Sequence, residues 1–365
     1  MRRKMSRHWF VRTLLLLVCG IAAGCFSGCE KSAELEDREY ILTLGLDLEQ
    51  EGLSILYDVS TFYKEGASSS EEGGQKSMQY SADSIYDMVK AYGQQSDKYM
   101  DLNHLKAVII GKDLANNQEK LIELLQYIEK NDLFARNVKV FVADNKAADI
   151  FTIADKLPTS IGDYLDNLYM NSNYFVKNQS TDMGKLISHW HNNDEILLVP
   201  ILKIENEKPI PASYALMKEV KMSDELSNEE GNLVLLGNGV RLKTNLVTDS
   251  SYAVQIDKVK KKLTILEQSG PYAKITVVIK AHSVNQPMED VKLQTKVQSE
   301  VERKLEQSFS QLLTKWEPKR IDFFHTFSAL SAKNRNLWLK YHDKREEYDQ
   351  DLTSAVEVTV EIKDD

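Results

Sequence analysis

The sequence predicts an α+β fold in three domains, and three observations predict it. Strand-like and helix-like stretches alternate up to about residue 195. Short strands with turn-forming residues fill the next stretch, to about residue 270. A long amphipathic helix followed by a strictly alternating strand closes the chain. The expected divisions are therefore a mixed α/β domain over 29–195 and a small β-rich domain over 196–270. An α+β domain follows over 271–365, with a long helix against an antiparallel sheet. The 365 residues, 42% hydrophobic and 28% charged, are enough for several packed cores.

In the first domain, Ile41–Leu48 and Leu53–Tyr63 read as strands because apolar and β-branched or aromatic residues alternate, with Glu49–Gly52 as the hairpin turn. Lys64–Ser77, rich in Ser, Gly and Glu, reads as a polar loop. Its glycines match no phosphate-cradling spacing. Ser84–Gln95 has Ile85, Met88, Val89 and Tyr92 on one helical face. Leu105–Gly111 reads as a buried strand and Glu119–Lys130 as a helix with Leu121, Leu124, Leu125 and Ile128 inward. Val138–Ala143 is another strand, and a helix starts at Lys146.

Glu195–Pro211 carries Pro200, Pro209 and Pro211 and reads as a domain junction. Tyr214–Met217, Leu233–Leu236 and Val240–Leu242 read as short strands, with turn chemistry at Gly237-Asn238-Gly239. Tyr272–Ala281 is a strand. From Val291 to Trp316 the residues Val297, Val301, Leu305, Phe309, Leu312 and Trp316 recur at spacings of four and three, the stripe of an amphipathic helix that Pro318 ends. Asp322–Tyr341 reads as a second helix that takes Trp338 into the core. Val356, Val358, Val360 and Ile362 alternate on the buried face of the last strand.

The first 28 residues read as a signal peptide. Arg2, Arg3, Lys4, Arg7 and Arg12 precede an apolar run, and small residues with cysteines follow. The run from Thr13 to Ser27 is shorter than the roughly 20 residues that span a bilayer. A thiol directly after small residues is the pattern of a bacterial lipobox, where a diacylglyceryl group is attached. Each buried methylene contributes about 0.8 kcal/mol, so several acyl chains hold firmly. Two thiols fit, Cys25 after Ala22-Ala23-Gly24 and Cys29 after Ser27-Gly28. An exported, lipid-anchored protein on the outer face of a cytoplasmic membrane is the expectation.

Without the five bases before Cys29, 41 basic residues face 55 acidic ones, a net charge of -14. Such a body repels polyphosphate, which argues against nucleic acid as a partner. All three cysteines lie in the first 29 residues, so the body has no disulfide, thiolate metal site or cysteine nucleophile. His189-Trp190-His191 is the only close histidine pair, and no metal-binding motif surrounds it. No nucleophile-elbow, zincin or Ser-x-x-Lys pattern is found. Glu71-Glu72, Glu229-Glu230 and Glu346-Glu347 read as surface charge. The sequence thus names no catalytic residue, metal ligand or cofactor, and favours binding, assembly or signalling.

Three ordered stretches resemble the Ger(x)C family, the lipoprotein C subunits of spore nutrient germinant receptors. They are Gly28-Cys29 through Glu34-Leu-Glu-Asp to Leu44-Gly-Leu-Asp47; His104-Leu-Lys with the later Arg136-containing strand; and the long helix with Asp322-Phe-Phe, Asn336-Leu-Trp338 and the closing Val-x-Val-x-Val strand. Counting back from Asp47, the family's anchor cysteine falls on Cys29, which favours it over Cys25. The resemblance implies a three-domain, non-enzymatic lipoprotein on the spore inner membrane. It implies assembly with two integral-membrane subunits, in receptor assembly or signalling of nutrient-triggered germination, without direct binding of the nutrient. The other reading of an anchored, inert body is a solute-binding lipoprotein of a membrane transporter.

Overall fold

β1 (Arg38–Leu48) begins the architecture and lies near the middle of its larger sheet. The computed structural model describes residues 38–50, 52–59, 77–131, 135–170, 179–192, 195–242, 245–248, 251–285, 287–288 and 290–363. After β1 come β2 (Leu53–Val59), β3 (Ser77–Ala82), α1 (Ile85–Gln95), β4 (Tyr99–Asp101) and β5 (Ala107–Ile110). α2 (Lys112–Asn116), α3 (Gln118–Asn131), β6 (Lys139–Ala143), α4 (Ala147–Phe151) and α5 (Ile161–Met170) follow. Next are β7 (Thr181–Asp182), α6 (Met183–His191), β8 (Leu197–Glu205), β9 (Lys208–Lys218) and β10 (Lys221–Ser227).

These strands form one ten-stranded sheet, ordered β10-β9-β8-β6-β5-β1-β2-β3, with β4 on β1 and β7 on β6. Its centre is parallel: β1 pairs β5, β5 pairs β6 and β6 pairs β8. A parallel centre needs cover on both faces, and every residue of β5 is buried. Val108 and Ile110 face a core built with α1, α3 and α6, whereas Ala107 and Ile109 face a second core under α4 and α5. The first-domain elements read from the hydrophobic periods form where expected, with described ends shifted by up to three residues; the second strand is described to Val59, and the expected end at Tyr63 lies outside the described residues.

Residues 196–270, expected as a unit of their own, divide their strands between two sheets. β8, β9 and β10 extend the larger one, because Val142 pairs Ile201 and Ala143 pairs Leu202. The proline stretch read as a junction is the β8–β9 hairpin. Pro211 sits at its register shift, and Pro209 lies beyond the residues that pair β10, so neither removes a needed ladder bond. The segment read as a strand at Leu233–Leu236 is part of helix α7 (Asn228–Gly237). Ser227 caps it: its hydroxyl accepts from Glu230 N, and the Glu230 carboxylate accepts from Ser227 N. Val240–Leu242 is irregular.

β11 (Asn245–Val247), β12 (Ala253–Glu267), β13 (Pro271–Ser283), α8 (Val291–Trp316), α9 (Thr326–Lys333), α10 (Arg335–Tyr341), α11 (Arg345–Asp351) and β14 (Thr353–Lys363) complete the chain. The smaller sheet is ordered β11-β12-β13-β14. It is antiparallel through β13, but β14 joins parallel to β13, because the intervening helices carry the chain back to the starting end. α8 has the predicted limits and buries all six predicted stripe residues on this sheet. The single helix expected over Asp322–Tyr341 is two, α9 and α10, broken at Asn334, whose side chain caps α10 by accepting from Leu337 N. Trp338 is half-buried against the core and Leu339 is exposed.

The two sheets share a core. Leu198, Tyr214, Leu216 and Leu226 of the larger sheet, with Ile196 just before β8, pack in the same cluster as α8 and the smaller sheet. α7 lies between them, and its Glu230 accepts from Lys315 Nζ at 2.7 Å and Trp316 Nε1 at 2.9 Å. Glu230, read as plain surface charge, is thus both cap and tie.

Candidate functional site

Cys29 and Cys25, the expected lipidation sites, lie outside the described residues, as does the polar loop over residues 64–76. The stretches that carry the family resemblance mostly hold structure. Asp47 is buried and accepts from Ala147 N at 2.7 Å and Ala148 N at 2.9 Å, fixing the start of α4. His104 meets Tyr40 edge-on. Arg136 is exposed and pairs with Glu129 at 3.2 Å. Phe323, Phe324 and Leu337 are core residues.

His189 and His191 do not form a pair. They lie on a helix, where two positions apart means opposite sides. His191 is exposed, with Nε2 3.0 Å from Glu129 Oε2. His189 is buried, and neither ring nitrogen has a hydrogen-bond partner. Burial pushes its imidazole down to about 4, with His325 adding to the shift and Glu195 opposing it.

His189 lies beside a cluster of titratable groups, with Glu195 and His325 both acting on its charge. His325, in left-handed backbone at φ 53°, places Nδ1 3.7 Å from Glu195 Oε2. Burial lowers its pKa too, against the pull of Glu195 and Asp322. Asp322 Oδ2 accepts from Phe327 N at 2.9 Å and lies 3.7 Å from Arg345 Nη2. Arg345 Nε reaches Asp349 Oδ1 at 2.8 Å, and Lys218 Nζ stands 3.9 Å from Asp349 Oδ2. Burial raises the Asp349 carboxyl against Arg345. Lys261 donates to Asn238 Oδ1 at 2.9 Å and to the Phe324 carbonyl at 2.7 Å, and burial lowers its pKa.

These residues come from distant parts of the chain, so spacing alone could not group them. The sequence singled out His189, Glu195, Asn238 and Asp322 in separate stretches, and nothing in it joined them. The cluster joins two bodies through polar groups, and its described residues include no hydroxyl or thiol paired with a base. Among the described residues no three His, Cys, Asp or Glu side chains are grouped to hold a metal ion. No described helix is long and apolar enough to cross a membrane.

Two family models match the chain in order. The spore germination protein N-terminal domain covers residues 31–204, and the spore germination B3/GerAC-like C-terminal domain covers residues 212–365. The gap between them, residues 205–211, holds the β8–β9 turn and the first four residues of β9. A solved structure, the crystal structure of the GerBC protein, is similar over 87% of this chain and 96% of that one, at 17% identity and a TM-score of 0.57. At that identity the likeness speaks for the fold. No curated protein matches. With both halves matched in sequence order and the fold shared, the chain belongs to the Ger(x)C family of spore germination proteins.

Proposed function

We propose that this protein is the lipid-anchored subunit of a spore nutrient germinant receptor, held at the outer face of the spore inner membrane through Cys29. The observation that carries the reading is the ordered match of both halves to spore germination domains. The N-terminal pattern of bases, apolar run, small residues and thiol supports the anchor. Nine positions separate Cys29 from Arg38, the first described residue, so the tether reaches about 30 Å at most. The body, at -14, gains nothing from anionic lipid, so a covalent anchor is what would keep it beside two integral-membrane partners. Its part is assembly or signalling rather than catalysis.

The test is Cys29→Ala and Cys25→Ala, made singly in the native host. Cys29→Ala is expected to lose acyl label and detergent-phase partitioning, and its spores to lose the response to one class of nutrient. Cys25→Ala is expected to behave as the parent. Normal germination with every nutrient after Cys29→Ala, or acyl label that depends on Cys25 instead, overturns the respective part.

A further inference from the structure

Arg38, the first described residue, is fastened to the body. Its guanidinium donates to Asp101 Oδ2 at 2.8 Å, and the buried Asp101 also accepts from Asn103 N and Nδ2 at 2.9 Å. The nine positions back to Cys29 therefore start from a fixed point. β4 runs parallel to β1 there, with Tyr99 opposite Arg38 and Asp101 opposite Tyr40. Residues paired in this way share a side of the sheet, as do residues two apart, so Arg38, Tyr40, Tyr99 and Asp101 point the same way. Tyr99 is 66% exposed. His104 is exposed and meets the half-buried Tyr40 edge-on at 4.9 Å, and the exposed Lys98 precedes Tyr99.

A single exposed ring needs no explanation. These rings stand at the end of the body that leads to the anchor, within about 30 Å of extended chain from Cys29. β5 and β6 start at the same end, because both run parallel to β1. Carboxylates close by are matched: Asp101 by Arg38, Asp166 by Lys106 at 3.7 Å and by Lys139, and Glu129 by Arg136 at 3.2 Å. Asp97 is followed by Lys98. Local repulsion thus does not keep this end from anionic lipid, whatever the net charge of the whole. A tyrosine, with an apolar ring and a polar tip, suits the boundary between headgroups and acyl chains. Tyr99 is the one large apolar side chain of β1 and β4 that is exposed. One ring is too little for the core of a protein interface of about 800 Å² a side, but it is enough to touch lipid that an anchor already holds close.

We propose that this end of the body rests on the phospholipid headgroup layer, with the Tyr99 ring entering it and Tyr40, His104 and Lys98 beside it. This rests on the anchor reading: the acyl chains supply the affinity, and the ring sets which side of the body faces the membrane.

The chain has no thiol after Cys29, so a nitroxide on Lys98→Cys reports one point of the body. The full chain from its native host is placed on vesicles of phosphatidylglycerol and phosphatidylethanolamine in equal parts. In the vesicle-bound chain, this nitroxide is expected to collide about threefold less often with a water-soluble nickel chelate when Tyr99 is present than when Tyr99→Ser is added. A nitroxide on Leu339→Cys, exposed on α10, is expected to show no such difference. Equal collision at Lys98→Cys with and without Tyr99 in the bound chain overturns the proposal and leaves the anchor standing. A chain that stays in the water phase overturns both. Shielding that appears only when native membranes supply integral-membrane partners assigns the patch to a protein and overturns the lipid contact.

Discussion

Two buried titratable side chains set opposite pH dependences. Asp58 accepts from Ile161 N at 2.8 Å, yet burial raises its carboxyl to about 6. A raised folded pKa means that its contribution to stability is full below the ordinary value near 3.8 and is lost as pH rises through about 6. His189 runs the other way. Its folded value of about 4 lies below the ordinary 6.5, so its contribution is present above 6.5 and is lost as pH falls toward 4. Each shift corresponds to about 3 kcal/mol, and the two offset one another between roughly pH 4 and 6. Asp58→Asn is expected to steepen the loss of stability on the acid side; His189→Phe is expected to make the fold gain stability as pH falls from 6 to 4. Urea unfolding across pH 4 to 7 measures both, and unchanged profiles contradict the assignment. Gly231 adds a steric case: a Cβ there would overlap the Tyr214 ring, so Gly231→Ala is expected to lose about 1–3 kcal/mol.

At the scale of elements, α7 and the open edge of β14 depend on short-range polar bonds. The Ser227–Glu230 capping box was readable as Ser-x-x-Glu, but the apolar run Leu233–Leu236 masked it, since four apolar residues in a row fit strand or helix alike. Ser227→Ala is expected to destabilise by about 1 kcal/mol in thermal unfolding. Among the described strands β14 pairs only β13, so its other edge would invite another chain. α8 covers that edge: Glu306 accepts from Val358 N at 3.0 Å and Glu302 from Val360 N at 2.8 Å, while Gln294 donates to the Ile362 carbonyl at 2.7 Å. Replacing Glu302 and Glu306 together by alanine frees those backbone groups. Concentration-dependent self-association is then expected in sedimentation, and a strictly monomeric double variant would contradict this role.

Across the whole molecule, the shared core makes the two sheets one cooperative body. Tyr214 and Leu216 of β9 pack with Phe309 and Phe324 of the C-terminal half, and Lys261, Asn238 and the Phe323 and Phe324 carbonyls bond across the same junction. Amides of α6 and α8 are therefore expected to lose hydrogen-exchange protection at the same urea concentration. Two separate midpoints would show halves that unfold independently.

The sequence by itself determined the family and most elements of the first and last segments, including α8 to the residue. Hydrophobic periods of two and 3.6 are local and survive without knowledge of neighbours. It also placed the anchor cysteines, as an expectation from order and residue size. Only the tertiary structure decided where residues 196–270 go, because strand partnership depends on which edge is free and not on the strand's own residues. The same holds for the junction of His189, Glu195, Asp322, His325 and Arg345. Long-range packing brings these groups together and strips their water, and no spacing along the chain records either event.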